Sequence, residues 1–220
     1  MSRVVHLCLA TILGVSIAAG VSAQSSSSKH TKESSSTGTT AVDNGAVSNG
    51  VYRNKALGLV CKIPAGWVLR TEEMNSPDDE SVEQKTSPQG TQRNTGEQRV
   101  LLAAFSRPPD ARGEDINSSI LIAAESVDAY PGLKEAAQYF GPLTEVAKAQ
   151  GFTVDEEPYE YAVSAKKLVR GDFHKDVGTR VMRQSTLAFL SHGYAVSITI
   201  IGGTEDEVEE LIDGVSITGK

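Results

Sequence analysis

Residues 52–73 read YRNKALGLVCKIPAGWVLRTEE, and this stretch constrains the chain more than any other. Leu57, Leu59, Cys61 and Ile63 alternate with Gly58, Val60 and Lys62. Successive side chains of a strand face opposite sides of a sheet, so the pattern predicts a half-buried strand with one dry face. Pro64-Ala65-Gly66 then breaks the pairing and turns the chain. Trp67, the only tryptophan, resumes the alternation with Leu69, and an indole there is expected to cover one end of a core. A chain built on such a strand needs more strands beside it and apolar elements to cover the dry face.

The rest of the sequence supplies them. Residues 100–105 and 119–124 are apolar runs of strand length, joined by a polar link that contains Pro108-Pro109. Residues 131–150 change to helical spacing, with Gly141-Pro142 expected to kink the helix or split it in two. Gly151 is its expected C-cap. Residues 152–163 and 166–175 alternate as solvent-facing antiparallel strands do. Residues 180–190 and 194–201 flank His192-Gly193, a strong hairpin signal. Thr204 and Glu207 have capping-box spacing before the stripe Val208, Leu211 and Ile212, and Gly214 is the expected stop. A short strand or tail closes the chain at 215–217.

The N-terminal end reads as delivery apparatus. Arg3, an apolar run over residues 7–21 and Val21-Ser22-Ala23 make a signal peptide over residues 1–23, predicting export to a periplasmic or extracellular space. Residues 24–50 hold eight Ser, four Thr and three Gly, and are expected to be a disordered tether. One domain then spans 51–220, with a polar insertion at 75–98 whose only large apolar side chain is Val82.

Charge and cysteine content narrow the function classes. The formal charge is −7, and the leader contributes one Arg and no acid. An acidic body argues against nucleic acid, because neutralising phosphates takes clustered Lys and Arg. The leader once removed, no stable membrane insertion is expected. Cys8 lies in the leader, so Cys61 alone is left in the exported chain and no intramolecular disulfide can form. On the dry face of a strand it reads as a small buried hydrophobe.

No phosphate-binding loop, H-E-x-x-H or C-x-x-C is present, so neither a cofactor nor catalysis is expected. One constellation has chemical potential. Asp172, His174 and Asp176 lie two residues apart, and on a strand all three share a face. Two carboxylates and an imidazole could hold a divalent cation such as Zn or Mn, given a fourth ligand. The same alternation also suits an exposed strand end with Phe173 turned inward.

The order of parts resembles the PsbP-like family, which shares its fold with the Mog-type Ran-binding proteins. The likeness is carried by Tyr52, Gly58, Leu59, Pro64, Gly66 and Trp67, by HGYAVSITIIGG (residues 192–203) and by TEDEVEELIDGVSI (residues 204–217). It implies an α+β fold, an antiparallel sheet with helices packed on both faces as an α/β/α sandwich, and a binding or assembly role with a protein partner. A second reading is a secreted hydrolase or metal-binding protein that uses His174 and the neighbouring carboxylates.

Overall fold

The computed structural model describes residues 42–76, 98–111, 113 and 115–218. The signal peptide, residues 24–41 of the expected tether and most of the 75–98 insertion lie outside the described residues.

Strands dominate. A small antiparallel sheet holds β1 (Ala46–Ser48), β2 (Val51–Asn54), β3 (Leu59–Lys62) and β12 (Val215–Ile217), with β12 on the far side of β3. A large antiparallel sheet runs in the order β4 (Val68–Leu69), β5 (Arg99–Phe105), β6 (Ser119–Ser126), β11 (Tyr194–Gly202), β10 (Arg180–Ser191), β9 (Lys166–Val177) and β7 (Thr153–Val154). β8 (Tyr159–Val163) pairs with the first half of β9. The helices are α1 (Thr71–Met74), α2 (Ala136–Ala149) and α3 (Glu205–Asp213).

This overturns the expected α/β/α sandwich. The small sheet, joined by α3, covers one face of the large sheet, and α2 packs on the other. The principal core lies between the two sheets. Tyr52, Leu59 and Cys61 meet Leu102, Ile120, Ile122, Leu187, Phe189, Val196, Ile198 and Ile200 there, and Val208, Leu211 and Ile212 of α3 close one side. The alternation around Cys61 was right, but its dry face meets another sheet where a helical layer was expected. Trp67 is half-buried against the same cluster.

The face under α2 is built from small residues. Tyr139 and Phe140 rest on Ala188 and Ala195, and Ala147 packs with Phe152 and Phe173. A Cβ on Gly171 would stand 2.6 Å from the Phe140 ring, so glycine is required for the helix to approach. The expected break at Gly141-Pro142 does not occur, and α2 runs through Pro142 as one helix. An interior proline costs about 3 kcal/mol, a loss that burial of Tyr139, Phe140 and Ala147 offsets. Gln138 caps the start, its side-chain oxygen accepting from the amides of Lys134 (2.8 Å) and Glu135 (3.2 Å).

The hairpin signals were sound. His192 (φ 51°) and Gly193 (φ 81°) form the two-residue turn between β10 and β11, with Ser191 opposite Tyr194. A second such turn is Asn49-Gly50 (φ 51° and 70°), which pairs β1 with β2. Residues 42–50 are therefore folded, against their assignment to the tether. Asp43 and Asn44 accept hydrogen bonds through their carbonyls from Asn54 (2.6 Å) and the Tyr52 hydroxyl (2.9 Å). Ser/Thr-rich composition concealed a turn pair that belongs to the domain.

α3 begins as expected, the Thr204 hydroxyl accepting from the Glu207 amide at 3.1 Å. Glu207 reaches one residue past the capping-box position, to the amide of Gly203 (2.8 Å), and also accepts from the Ser118 hydroxyl. Gly214 ends the helix at φ −71°, without the left-handed residue the sequence suggested.

Side chains finish the edge of the large sheet. β4 pairs with Ala104 and Phe105, and beyond it the Thr71 hydroxyl accepts from the Ala103 amide at 3.0 Å. The Asn75 amide group bonds both the N–H (3.0 Å) and the C=O (2.7 Å) of Val100. These contacts occupy backbone groups that would otherwise template another strand.

Burial between the sheets suppresses ionisation. Desolvation pushes the Cys61 thiol up from 9.0 to about 12, and the Tyr52 phenol up from 10.0 to about 12 against a bond to Asn54. The thiol is accordingly unreactive at neutral pH. Both groups hold their protons more tightly when folded, so their contribution to stability is complete below pH 9 and is lost as pH rises toward 12. The urea midpoint is expected to stay level through pH 8–9 and fall steadily from pH 9 to 12, with Cys61→Ala removing part of the fall. A midpoint that is unchanged up to pH 12 would contradict the burial assigned to these groups.

Candidate functional site

β9 carries Asp172, His174 and Asp176 on the face that α3 also occupies, and the register separates their partners. The Nδ1 atom of His174 bonds the Asp155 carboxylate, at the turn between β7 and β8. Asp176 is exposed and lies opposite Val181. Among the described residues, no group of three or more His, Cys, Asp and Glu is gathered as a metal would need. The three residues share a face, as the spacing predicted, but Asp172 and His174 are directed to different neighbours and Asp176 is exposed.

Asp172 belongs to a different arrangement, centred on Arg170. The Arg170 Nε contacts both Asp172 carboxylate oxygens at 2.9 and 3.0 Å, and its Nη2 donates to the Ser185 hydroxyl (3.1 Å) and to Glu209 of α3. Ser185 also donates to Asp172, and the Tyr159 hydroxyl does so at 2.9 Å. The guanidinium carbon lies 5.0 Å from the Tyr161 ring centre. The Arg170 side chain is only 8% exposed, and Asp172 18%. Burial alone would lower the pKa of Arg170, but the bonds to Glu209 and Asp172 outweigh it and the guanidinium stays charged. Burial, then the Asp172 carboxylate beside it, raises the Tyr159 phenol. Every member already has an internal partner, so this cluster is a clasp joining β8, β9, β10 and α3.

A second acid is held on the face under α2. Glu125 accepts from Tyr130, from Tyr139 (2.9 Å) and from Gln98 (2.9 Å), and the two rings meet edge to face with centres 5.3 Å apart. Burial pushes both phenols up, with Glu125 adding to the effect. His192 stands in its turn, bonded to Ser191.

Among the described residues, one arrangement with room for a partner is a groove of about 800 Å³ at one end of the large sheet. Asp115, Ile116 and Ser118 form one wall, and Arg180, Val181 and Arg183 of β10 another. Gly203, Thr204, Glu205, Asp206 and Glu207, leading into α3, form the floor. Arg180 bonds Asp115 at 2.6 Å, and Arg183 lies 3.0 Å from Glu205. Val181 is 37% exposed. Sequence reading had placed none of these residues in a site. Their common location depends on where β11 ends relative to β10, and the signal was the unequal length of the two strands around His192-Gly193.

No helix among the described residues is long and apolar enough to cross a membrane. No protein-family model matches the chain. No curated protein matches it either. Among solved structures it is similar to LpqN of Mycobacterium tuberculosis, described as involved in cell envelope biogenesis, with 12% identity, a TM-score of 0.34, and coverage of 73% of this chain and 83% of that one.

The clasp gives a graded expectation for stability. Asp172→Asn leaves Arg170 buried with only Glu209 to balance it, and should cost about 3 kcal/mol in urea denaturation. Asp176→Asn, at an exposed position, should change stability by less than about 0.5 kcal/mol. Equal effects from the two substitutions would contradict the clasp.

Proposed function

We propose that this chain is an exported, non-catalytic binding protein that docks a protein partner in the groove between β10 and the start of α3. The groove carries the reading. It combines exposed aliphatic surface at Val181 with charges of both signs at its rim, a composition suited to a polypeptide. Export rests on Arg3, the apolar run and Val21-Ser22-Ala23. The polar clusters elsewhere, around Arg170 and Glu125, are saturated by their own hydrogen bonds and offer no group to a substrate.

His174 favours the second reading, a hydrolase. Its Nδ1 is oriented by Asp155, which is how a general base is commonly held. A nucleophile within reach of its other nitrogen would be needed as well, and no hydrogen bond among the described residues joins a Ser, Thr or Cys to His174.

Site-directed photo-crosslinking separates the two. A benzoylphenylalanine at Val181 is expected to trap one protein from an envelope extract of the producing cell, and the same group at Glu160 on β8 is expected to trap none. Asp206→Lys, at the exposed acidic rim, should weaken the Val181 adduct. Ester, phosphate or glycoside turnover that disappears in His174→Ala, together with no specific adduct at Val181, would replace binding with catalysis.

A further inference from the structure

We propose that the groove is a strand-wide slot in the large sheet, and that it takes an extended polypeptide segment by strand addition against Val181. The inference rests on the binding role above and specifies how the partner is held.

Hairpin parity fixes which backbone groups of β10 face which neighbour. β10 is twelve residues long and β11 nine, and their ladder ends at Arg183 opposite Gly202. β9 continues to pair with β10 as far as Arg180 opposite Val177. Residues 180–182 therefore have a neighbour on one side and have outrun β11 on the other. Two-residue turns join both pairs, at Gly178-Thr179 and at His192-Gly193. In such hairpins the residues flanking the turn exchange hydrogen bonds, and bonding then alternates along the strand. Counting from Arg180, the even residues of β10 bond to β9. Counting from Ser191, the odd residues face β11. Val181 is odd, so its N–H and C=O point away from β9, into the groove. Among the described residues no hydrogen bond to either group is found.

The width fits one strand. β6 and β10 are second neighbours with β11 between them, and adjacent strands lie ~4.8 Å apart, so where β11 leaves the sheet the gap is roughly 9.6 Å. The β6 side extends beyond its own strand, since the Ser106 amide bonds the Ser118 carbonyl at 2.8 Å. Gly203 passes beside Ile116, and the chain then turns into α3, so that among the described residues the position opposite Val181 is open.

Charge selects the occupant. The lining carries two arginines and four acids, and both arginines are already paired, with Asp115 and with Glu205. The excess is negative, and Asp206 is exposed at the rim. A segment alternating aliphatic and basic residues places its aliphatic side chains against Val181 and Ile116 and its basic ones at Glu205 and Asp206. Its backbone completes the bonds of Val181, the usual source of affinity in strand addition.

The test uses two synthetic peptides, acetyl-Lys-Val-Lys-Val-Lys-Val-amide and the same sequence N-methylated at alternate residues. Titrated into the isotope-labelled protein, the first is expected to shift the Val181 amide resonance and slow its hydrogen exchange. The N-methylated peptide should bind about tenfold more weakly or worse, having lost the ladder. In Val181→Pro, the first peptide should lose a similar factor, while the melting temperature stays near that of the parent because the β9 ladder does not use this amide. The peptide comparison needs no variant and stands if Val181→Pro fails to fold. Equal binding of the two peptides would overturn strand addition while leaving side-chain docking in the groove intact. Absence of any shift at Val181 with saturating peptide would overturn the slot, and crosslinking at Val181 would then decide the binding role independently.

Discussion

The alternation of hydrogen-bonding direction along β10 is the constraint on which the rest depends. Each residue of a strand can bond to only one of its two neighbours, and the turns at Gly178-Thr179 and His192-Gly193 decide which. The same register sends Leu187 and Phe189 into the core between the sheets and Ala188 beneath α2. It puts Ser185 opposite Asp172, where the clasp forms, and His174 opposite Arg183. A slip of one residue would invert every one of these assignments. The long central hairpin thus positions the core, the clasp and the groove together.

The clasp shows why a charged group lies at the margin of an otherwise apolar interface. β8 and β9 lie at the margin of the sheet, where α3 reaches them through Glu209. Arg170 fills that margin with a long aliphatic stem and a planar head that meets two acids, a serine and an aromatic ring at once. Lysine could not reproduce that geometry. The arrangement also joins α3 to strands far from it in the chain, and α3 forms the floor of the groove. Stability of the clasp and shape of the groove are therefore linked through one short helix.

Much of the fold was legible in the sequence because its signals are local. The alternation of Leu59 and Cys61, the His192-Gly193 turn and the Thr204 cap each depend on a few neighbouring residues, and each is found, although Leu57 lies in the turn before β3 and not in the strand. The layer arrangement depends on which dry face meets which, and that is not a local property. The resemblance to PsbP-like proteins was carried by turns and a cap, features that many antiparallel proteins need, and it led to a helical layer where the small sheet stands. Asp172, His174 and Asp176 were correctly placed on one face of one strand. Their partners, Arg170 with Ser185 and Asp155, depended on cross-strand register and on the loop between β7 and β8. The groove was the least legible of all, since it exists only because β11 stops before β10 does.

Native-state hydrogen exchange on the free protein, read residue by residue along β10, tests that account most directly. Met182 and Gln184 face β9, and their amides are expected to be protected in keeping with the central sheet. Val181, between Arg180 and Met182, is expected to exchange close to the rate of an unprotected amide. Protection of Val181 equal to that of Met182 would mean that its N–H already has a partner, and the sheet would hold no open position for another strand.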